Sequence, residues 1–176
     1  KFNSRRSEFS PMLYGSNFDQ LYFASSRTKD KESKISAITG LGNNNFYLAK
    51  KNEKGEWLAP EEIEDEVNTE FDEGTPSFSA DGRSMYYTYC SQDPESSRTA
   101  EIYVSSRSNA KWGKGVKVQL LKDSVTTLAH PSISPDGKYL FFVSDAMGGY
   151  GGKDIYRARA IGNDFGQIEN LGPQIN

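Results

Sequence analysis

With 176 residues and a net charge of −3, the chain has room for one domain with a packed core and lacks the basic surplus that attracts nucleic acid. Its 35% hydrophobic content includes 12% aromatic residues alongside sixteen Gly and seven Pro, a balance that points to an all-β, turn-rich protein with a core built from rings. No stretch approaches the eighteen consecutive apolar residues of a membrane span, and Cys90 as the only cysteine rules out an intrachain disulfide.

The N-terminus, Lys1-Phe-Asn-Ser-Arg-Arg, lacks the apolar core of a signal peptide. The chain therefore reads as soluble, without direct membrane insertion, and as a processed or trimmed piece. Strands are expected over Phe9 to Tyr14 and Gln20 to Ser25. The next connection, Ser26 to Asn44, opens with mixed charges and then turns apolar at Ile35, Ile38 and Leu41. It is either a solvated insertion or a segment that orders against a partner.

Strands at Asn45 to Lys50 and Trp57 to Ile63 complete a first four-strand unit. An acid-rich run, Glu61 to Glu73, follows and contains Glu64, Asp65 and Glu66. Such a run serves as a solvated connection, as a docking patch for a basic surface, or as a weak divalent-cation site. The second unit takes Thr75 to Ser79, Ser84 to Cys90, Glu101 to Ser106 and Gly115 to Leu121. Lys111, Lys114, Lys117 and Lys122 surround its last strand and mark it as an exposed edge.

The third unit is the clearest. His130-Pro-Ser-Ile-Ser leads through Pro135-Asp-Gly-Lys into Tyr139 to Val143, then a glycine-rich loop, then Asp154-Ile-Tyr-Arg-Ala and Phe165 to Leu171. Three landmarks keep step through all three units: Pro11, Pro76 and Pro131; Tyr47, Tyr103 and Tyr156; Trp57, Trp112 and Phe165. They recur about 55 residues apart, a repeat length that fits propeller blades. The second strand of each unit is apolar on both faces, as in Met85-Tyr-Tyr-Thr and Leu140-Phe-Phe-Val. Such a strand is covered on both sides.

These features predict a β-propeller: three four-stranded antiparallel blades at approximately 8–65, 66–123 and 124–176. Propellers close with four to eight blades. Three therefore form part of a larger propeller, and another blade is expected to follow Asn170-Leu-Gly-Pro-Gln-Ile-Asn; association of copies is the other way to complete a ring. Asp81-Gly82 and Asp136-Gly137 are read as tight structural turns between the first and second strands, where glycine accepts a positive φ.

The long connections are expected on one face, and function is expected there, with Ile35, Ile38, Leu41, Glu64, Asp65, Glu66, Tyr150 and Lys153 as candidate partner contacts. The Met147 to Lys153 loop lacks both Walker spacing and a following helix, and is read as a compact turn. His130 is the only histidine, so a multi-histidine metal site is excluded; its expected role is a hydrogen bond at the entry of a strand. Without a Gly-x-Ser-x-Gly elbow or an assembled triad, no catalytic residue, metal or cofactor is assigned and the chain is not read as an enzyme. Cys90 is read as a packed side chain.

The repeated Pro-Ser-x-Ser-x-Asp-Gly before an aromatic strand, at Pro76 and Pro131, resembles the TolB-like, WD-like propeller repeat of bacterial envelope proteins. With Gly148-Gly-Tyr-Gly-Gly-Lys-Asp-Ile-Tyr and Asn170-Leu-Gly-Pro-Gln-Ile-Asn, it resembles more narrowly the propellers of Bacteroidetes OmpA-family proteins, such as the PorE-type component of the type IX secretion system. That resemblance spans Glu8 to Asn176. It implies a periplasmic, outer-membrane-associated scaffold whose partners are envelope or secretion-system proteins, with peptidoglycan bound only through a domain absent from this chain. Where family members carry a second cysteine, this chain has Ala100-Glu101, so the bracing disulfide is lost. The alternative reading is a glycan-binding or glycan-cleaving propeller.

Overall fold

A computed structural model of the chain describes residues 2–27, 42–91, 100–122 and 126–176. Every regular element among them is a β-strand. The first antiparallel sheet runs β1 (Glu8–Tyr14), β2 (Gln20–Ser25), β3 (Asn45–Lys50), β4 (Glu61–Glu62) in that order. The second runs β5 (Asp72–Phe78), β6 (Ser84–Cys90), β7 (Glu101–Ser108), β8 (Lys111–Trp112), with β9 (Val116–Lys117) also paired to β7. The third runs β10 (Leu128–Ile133), β11 (Tyr139–Ser144), β12 (Asp154–Ile161), β13 (Asp164–Asn170). These are the three expected blades of a partial β-propeller.

Two irregularities repeat in register. In each first strand, an extra residue sits between Phe9 and Met12, Gly74 and Ser77, or Ala129 and Ser132. The residue before each landmark proline there is left-handed: Ser10 at φ 51°, Thr75 at 51° and His130 at 53°. Proline has no N–H to give the ladder, so the strand breaks at that point and bulges. A left-handed β-branched residue such as Thr75 is rare, and the bulge holds it in place.

The outer strands differ from expectation. Trp57 to Ile63 and Gly115 to Leu121 were expected to be continuous, but each outer strand carries one more residue than the strand it pairs with. Lys51 pairs with Trp57 and Leu48 with Glu61; Arg107 pairs with Trp112 and Val104 with Val116; Ala160 pairs with Phe165 and Arg157 with Glu169. The extra residue splits the outer strand in the first two blades. In the second, the Tyr87 hydroxyl occupies the space where a Cβ on Gly115 would lie.

The core lies between blades. Tyr22, Phe46, Ile63 and Val67 of the first blade meet Met85, Tyr87 and Trp112 of the second, and Ile102 and Val118 of the second meet Leu128, Leu140 and Phe142 of the third. In the second and third blades the aromatic that opens the outer strand reaches back to the preceding blade. The Trp112 ring stands edge-on to Tyr22 at 6.3 Å and the Phe165 ring edge-on to Tyr86 at 5.8 Å. Burying a ring of this size stabilises the fold by roughly 2–3 kcal/mol.

Coverage of the second strand on both sides holds at the centre of β2, where Tyr22, Phe23 and Ala24 are all buried; it is partial in β6, where Tyr86 is half-buried, and weakest in β11. Its Leu140, Phe142 and Ser144 are buried whereas Tyr139, Phe141 and Val143 are only half-buried, because one flank of the third blade meets no neighbour.

Two asparagines fasten the ends of the outer strands. Asn68 accepts the Phe46 N–H at 2.7 Å and donates to the Phe46 carbonyl at 3.0 Å. Asn176 treats Ile155 in the same way, at 2.7 and 3.1 Å. Each carboxamide thus stands in for a peptide unit of a strand.

Candidate interaction site

The two predicted turns share one local design. The Ser79 hydroxyl donates to Asp81 at 2.6 Å and accepts the Ser84 N–H at 2.9 Å, while the Arg83 N–H reaches the same carboxylate. In the third blade Ser134 binds Asp136 at 2.6 Å, and Asp136 takes the Lys138 N–H. The serine hydrogen bond in each turn holds the carboxyl below the usual aspartate range, to about 2 for Asp136. Gly82 and Gly137 take φ of 67° and 69°. Gly82 has a second constraint, since Tyr14 donates to its carbonyl at 2.8 Å and leaves no room for a Cβ.

The glycine-rich loop is a compact turn, and its donors point inward. The buried Asp154 carboxylate accepts the Tyr150 N–H at 2.5 Å and the Asn170 carboxamide at 2.8 Å. The Tyr150 amide above all lowers its pKa. The Tyr150 and Gly151 amides are thus turned onto a carboxylate, whose negative charge opposes a phosphate at the same place. The loop instead displays Met147, fully exposed, and Tyr150, 60% exposed, with Lys153 exposed at its end.

Of the predicted acidic contacts, Glu64 and Glu66 are exposed. Asp65 is committed to structure, because it accepts the backbone N–H of Trp112 at 2.9 Å. Ile35, Ile38 and Leu41 lie outside the described residues. Glu64 and Asp65 line a cleft of about 1070 Å³ between the first two blades, but Tyr150 and Lys153 do not. Of the predicted contacts among the described residues, the cleft takes in Glu64 and Asp65, which join the short β7–β8 turn, Asn109 to Lys111, in lining it.

One wall of this cleft is acidic, with Glu61, Glu62, Glu64 and Asp65 from the first blade; Arg107 and Lys111 come from the second. Leu48, Leu58 and Pro60 add apolar surface, and Leu58 is half exposed. At the back, the Arg107 guanidinium lies over the rings of Tyr14, at 4.9 Å, and Trp112, at 5.5 Å, and donates to the Tyr14 hydroxyl at 2.5 Å. The Trp112 indole N–H donates to Tyr22 at 3.3 Å. Burial of Tyr22 raises its pKa, so it stays a neutral acceptor. The sequence missed Arg107 as a keystone, although its place five residues ahead of the landmark Trp112, with which it pairs across the turn, was a usable signal.

No three of the His, Cys, Asp and Glu side chains converge on a metal-sized site among the described residues. His130 is exposed, and the hydrogen bond expected of it is made by its backbone N–H, to Thr88 Oγ1 at 2.8 Å. Burial pushes the Cys90 thiol up to about 11, so it holds its proton at neutral pH. The site has walls, opposite charges and apolar footing, which suits a bound chain.

No family model and no curated protein matches the sequence. Solved structures do. The chain is similar to TolB from Acinetobacter baumannii at 25% identity and a TM-score of 0.57, over 97% of this chain and 33% of that one. The fold is that of a TolB-like propeller segment. It is shared, at 16% identity, with a puromycin hydrolase S511A mutant complexed with PGG (TM-score 0.54, 92% of this chain and 23% of that one) and with an alpha-L-arabinofuranosidase from Lactobacillus brevis (TM-score 0.52, 96% and 53%). At that identity the likeness speaks for the fold alone. The chain spans about a third of the TolB structure.

Proposed function

We propose that this propeller segment is a non-catalytic scaffold for protein–protein interaction in the bacterial envelope. In this reading it is periplasmic and associated with the outer membrane, as part of a type IX secretion component that other domains anchor to peptidoglycan. The likeness to TolB supports the interaction role, and the repeat signatures support the envelope family. One observation carries the reading: the cleft between the first two blades, with an acidic wall, basic Arg107 and Lys111, and half-exposed Leu58. Its floor is locked by Arg107, Tyr14 and Trp112, so a partner meets a preformed surface and binding costs little ordering.

The test is site-specific photo-crosslinking in envelope preparations, with the crosslinker at Leu58 or Lys111 and a control at Phe18. A discrete protein adduct from the cleft positions, lost on Leu58→Glu, is the expected result. Absence of any cleft-specific adduct, or saturable binding of peptidoglycan fragments by these 176 residues alone, would reverse it.

A further inference from the structure

The two rims that flank the cleft carry opposite charge at equivalent places. Residues 57–66, the outer edge of the first blade, include Glu61, Glu62, Glu64, Asp65 and Glu66 and neither Lys nor Arg. Residues 111–122, the outer edge of the second, include Lys111, Lys114, Lys117 and Lys122 and no acid. The backbones correspond throughout this stretch. Glu61 stands opposite Leu48 as Val116 stands opposite Val104, and the Ile63 N–H reaches the Phe46 carbonyl at 3.0 Å as the Val118 N–H reaches that of Ile102 at 2.8 Å. Blades that share landmarks, bulges and packing thus invert the charge of their rims.

Part of this charge is used within the chain. Glu62 accepts from Asn45 and Tyr47, Asp65 accepts the Trp112 N–H, and Lys117 pairs with Glu101. The rest faces outward: Glu61, Glu64 and Glu66 on one rim and Lys111, Lys114 and Lys122 on the other are all exposed. No ion pair joins the two rims among the described residues. In the third blade the position of Glu61 is held by Glu169, which Arg157 on the next strand neutralises; the residue opposite Glu61 is Leu48. Apolar surface accompanies each rim, with Leu58 half exposed on the acidic one and Val116 66% exposed on the basic one.

An acidic rim beside a basic rim complements itself when turned by a half rotation about an axis in the plane of the face and parallel to the outer strands, because acid then meets base on both sides of the axis. Resting on the reading of the cleft as a protein-interaction site, we infer that its partner is a second copy of this chain, related by a two-fold axis that runs along the cleft. Each residue keeps its height along that axis. Glu61 therefore faces Lys114, two residues from its equivalent Val116, and Glu66 faces Lys122, next to its equivalent Leu121. The bond from Trp112 to Asp65 ties the two rims together within each copy, so the face is already in place before the partner arrives. β4 and β9 have two residues each, so the contact is made by side chains and not by a shared sheet.

Sedimentation velocity of the 176-residue chain is expected to show a monomer–dimer equilibrium at about 50 mM NaCl whose Kd rises at least about tenfold at about 500 mM. Two variants reverse the rims: one combines Glu61→Lys with Glu66→Lys, the other Lys114→Glu with Lys122→Glu. Each alone sets like charges against each other and is expected to raise Kd at least about tenfold, whereas an equimolar mixture is expected to return a one-to-one dimer within about threefold of the parent Kd. Recovery on mixing also shows that both variants are folded. A parent that stays monomeric at about 0.3 mM in low salt, open-ended assemblies, a dimer indifferent to salt and to both reversals, or variants that keep the parent Tm but do not recover on mixing each overturn the proposal. The crosslinker at Lys111 separates this partner from the broader reading. An adduct of two copies supports the dimer, whereas an adduct with a different protein beside a monomeric parent overturns it and leaves the interaction role standing.

Discussion

Glu73 is the residue most at odds with its surroundings. It is 1% exposed, takes one hydrogen bond from Thr69 at 2.5 Å, and leaves its second carboxyl oxygen without a partner. Burial, reinforced by Asp72, pushes its pKa up to about 8. An acid whose pKa rises on folding costs nothing while both states are protonated. It costs progressively more as pH climbs from the unfolded value, 4.5, to the folded one, because the unfolded chain releases its proton first. Urea denaturation is therefore expected to show Glu73→Gln close to the parent at pH 4.5 and more stable than it at pH 9, by about 1–3 kcal/mol; a difference that does not grow with pH would show that Glu73 is not the cause. Glycines separate in the same way. A Cβ on Gly149 would collide with the Asp154 carboxylate, whereas Gly152 faces open space, so Gly149→Ala is expected to lower stability by about 1–2 kcal/mol and Gly152→Ala to leave it within about 0.5 kcal/mol. The Asp-Gly turns could be read from sequence because their chemistry is local. Asp154 and Glu73 could not, since their partners, Asn170 and the rings around Tyr87, are set by the fold.

At the scale of the element, the strands were legible and their interruptions were not. Aromatic runs and landmark spacing located β2, β6 and β11 closely, because a short continuous apolar run bounded by turn residues survives in the sequence. The bulges at Ser10, Thr75 and His130 and the split outer strands depend on how one strand lies against the next. The asparagine clamps belong here too: Asn68 also donates to the Ile63 carbonyl at 2.9 Å, so it holds β3 and the end of the outer strand together. Asn68→Ala leaves the buried Phe46 N–H without an acceptor and is expected to cost about 2–3 kcal/mol by urea titration. Asn68→Asp keeps that acceptor and loses only the donors, so its cost is expected to lie between those of the parent and the alanine variant. If Asp and Ala cost the same, the carboxamide is filling space and not replacing a peptide unit.

The three-blade architecture was legible at the level of the whole molecule because three landmarks kept step, but the cleft was not, since it joins a loop of one blade to a turn of the next. With cores that lie between blades, each blade depends on its neighbour, and stability follows nearest-neighbour contacts. Trp112 spans the first of these cores, whereas Trp57 is half-buried against Phe2. Trp112→Ala is expected to cost about 3–5 kcal/mol, and Trp57→Ala less than half of that, as read by the urea midpoint. The broken outer strands have a further consequence. β4, β8 and β9 have two residues each, too short to template pairing with another chain, whereas β13 has seven. Its protection is a left-handed Gln167 at φ 48° and exposed Asp164 and Glu169, which bend and charge the edge against recruitment into a continuous sheet. The extra residue in each outer strand thus also guards the molecule against aggregation from its rim.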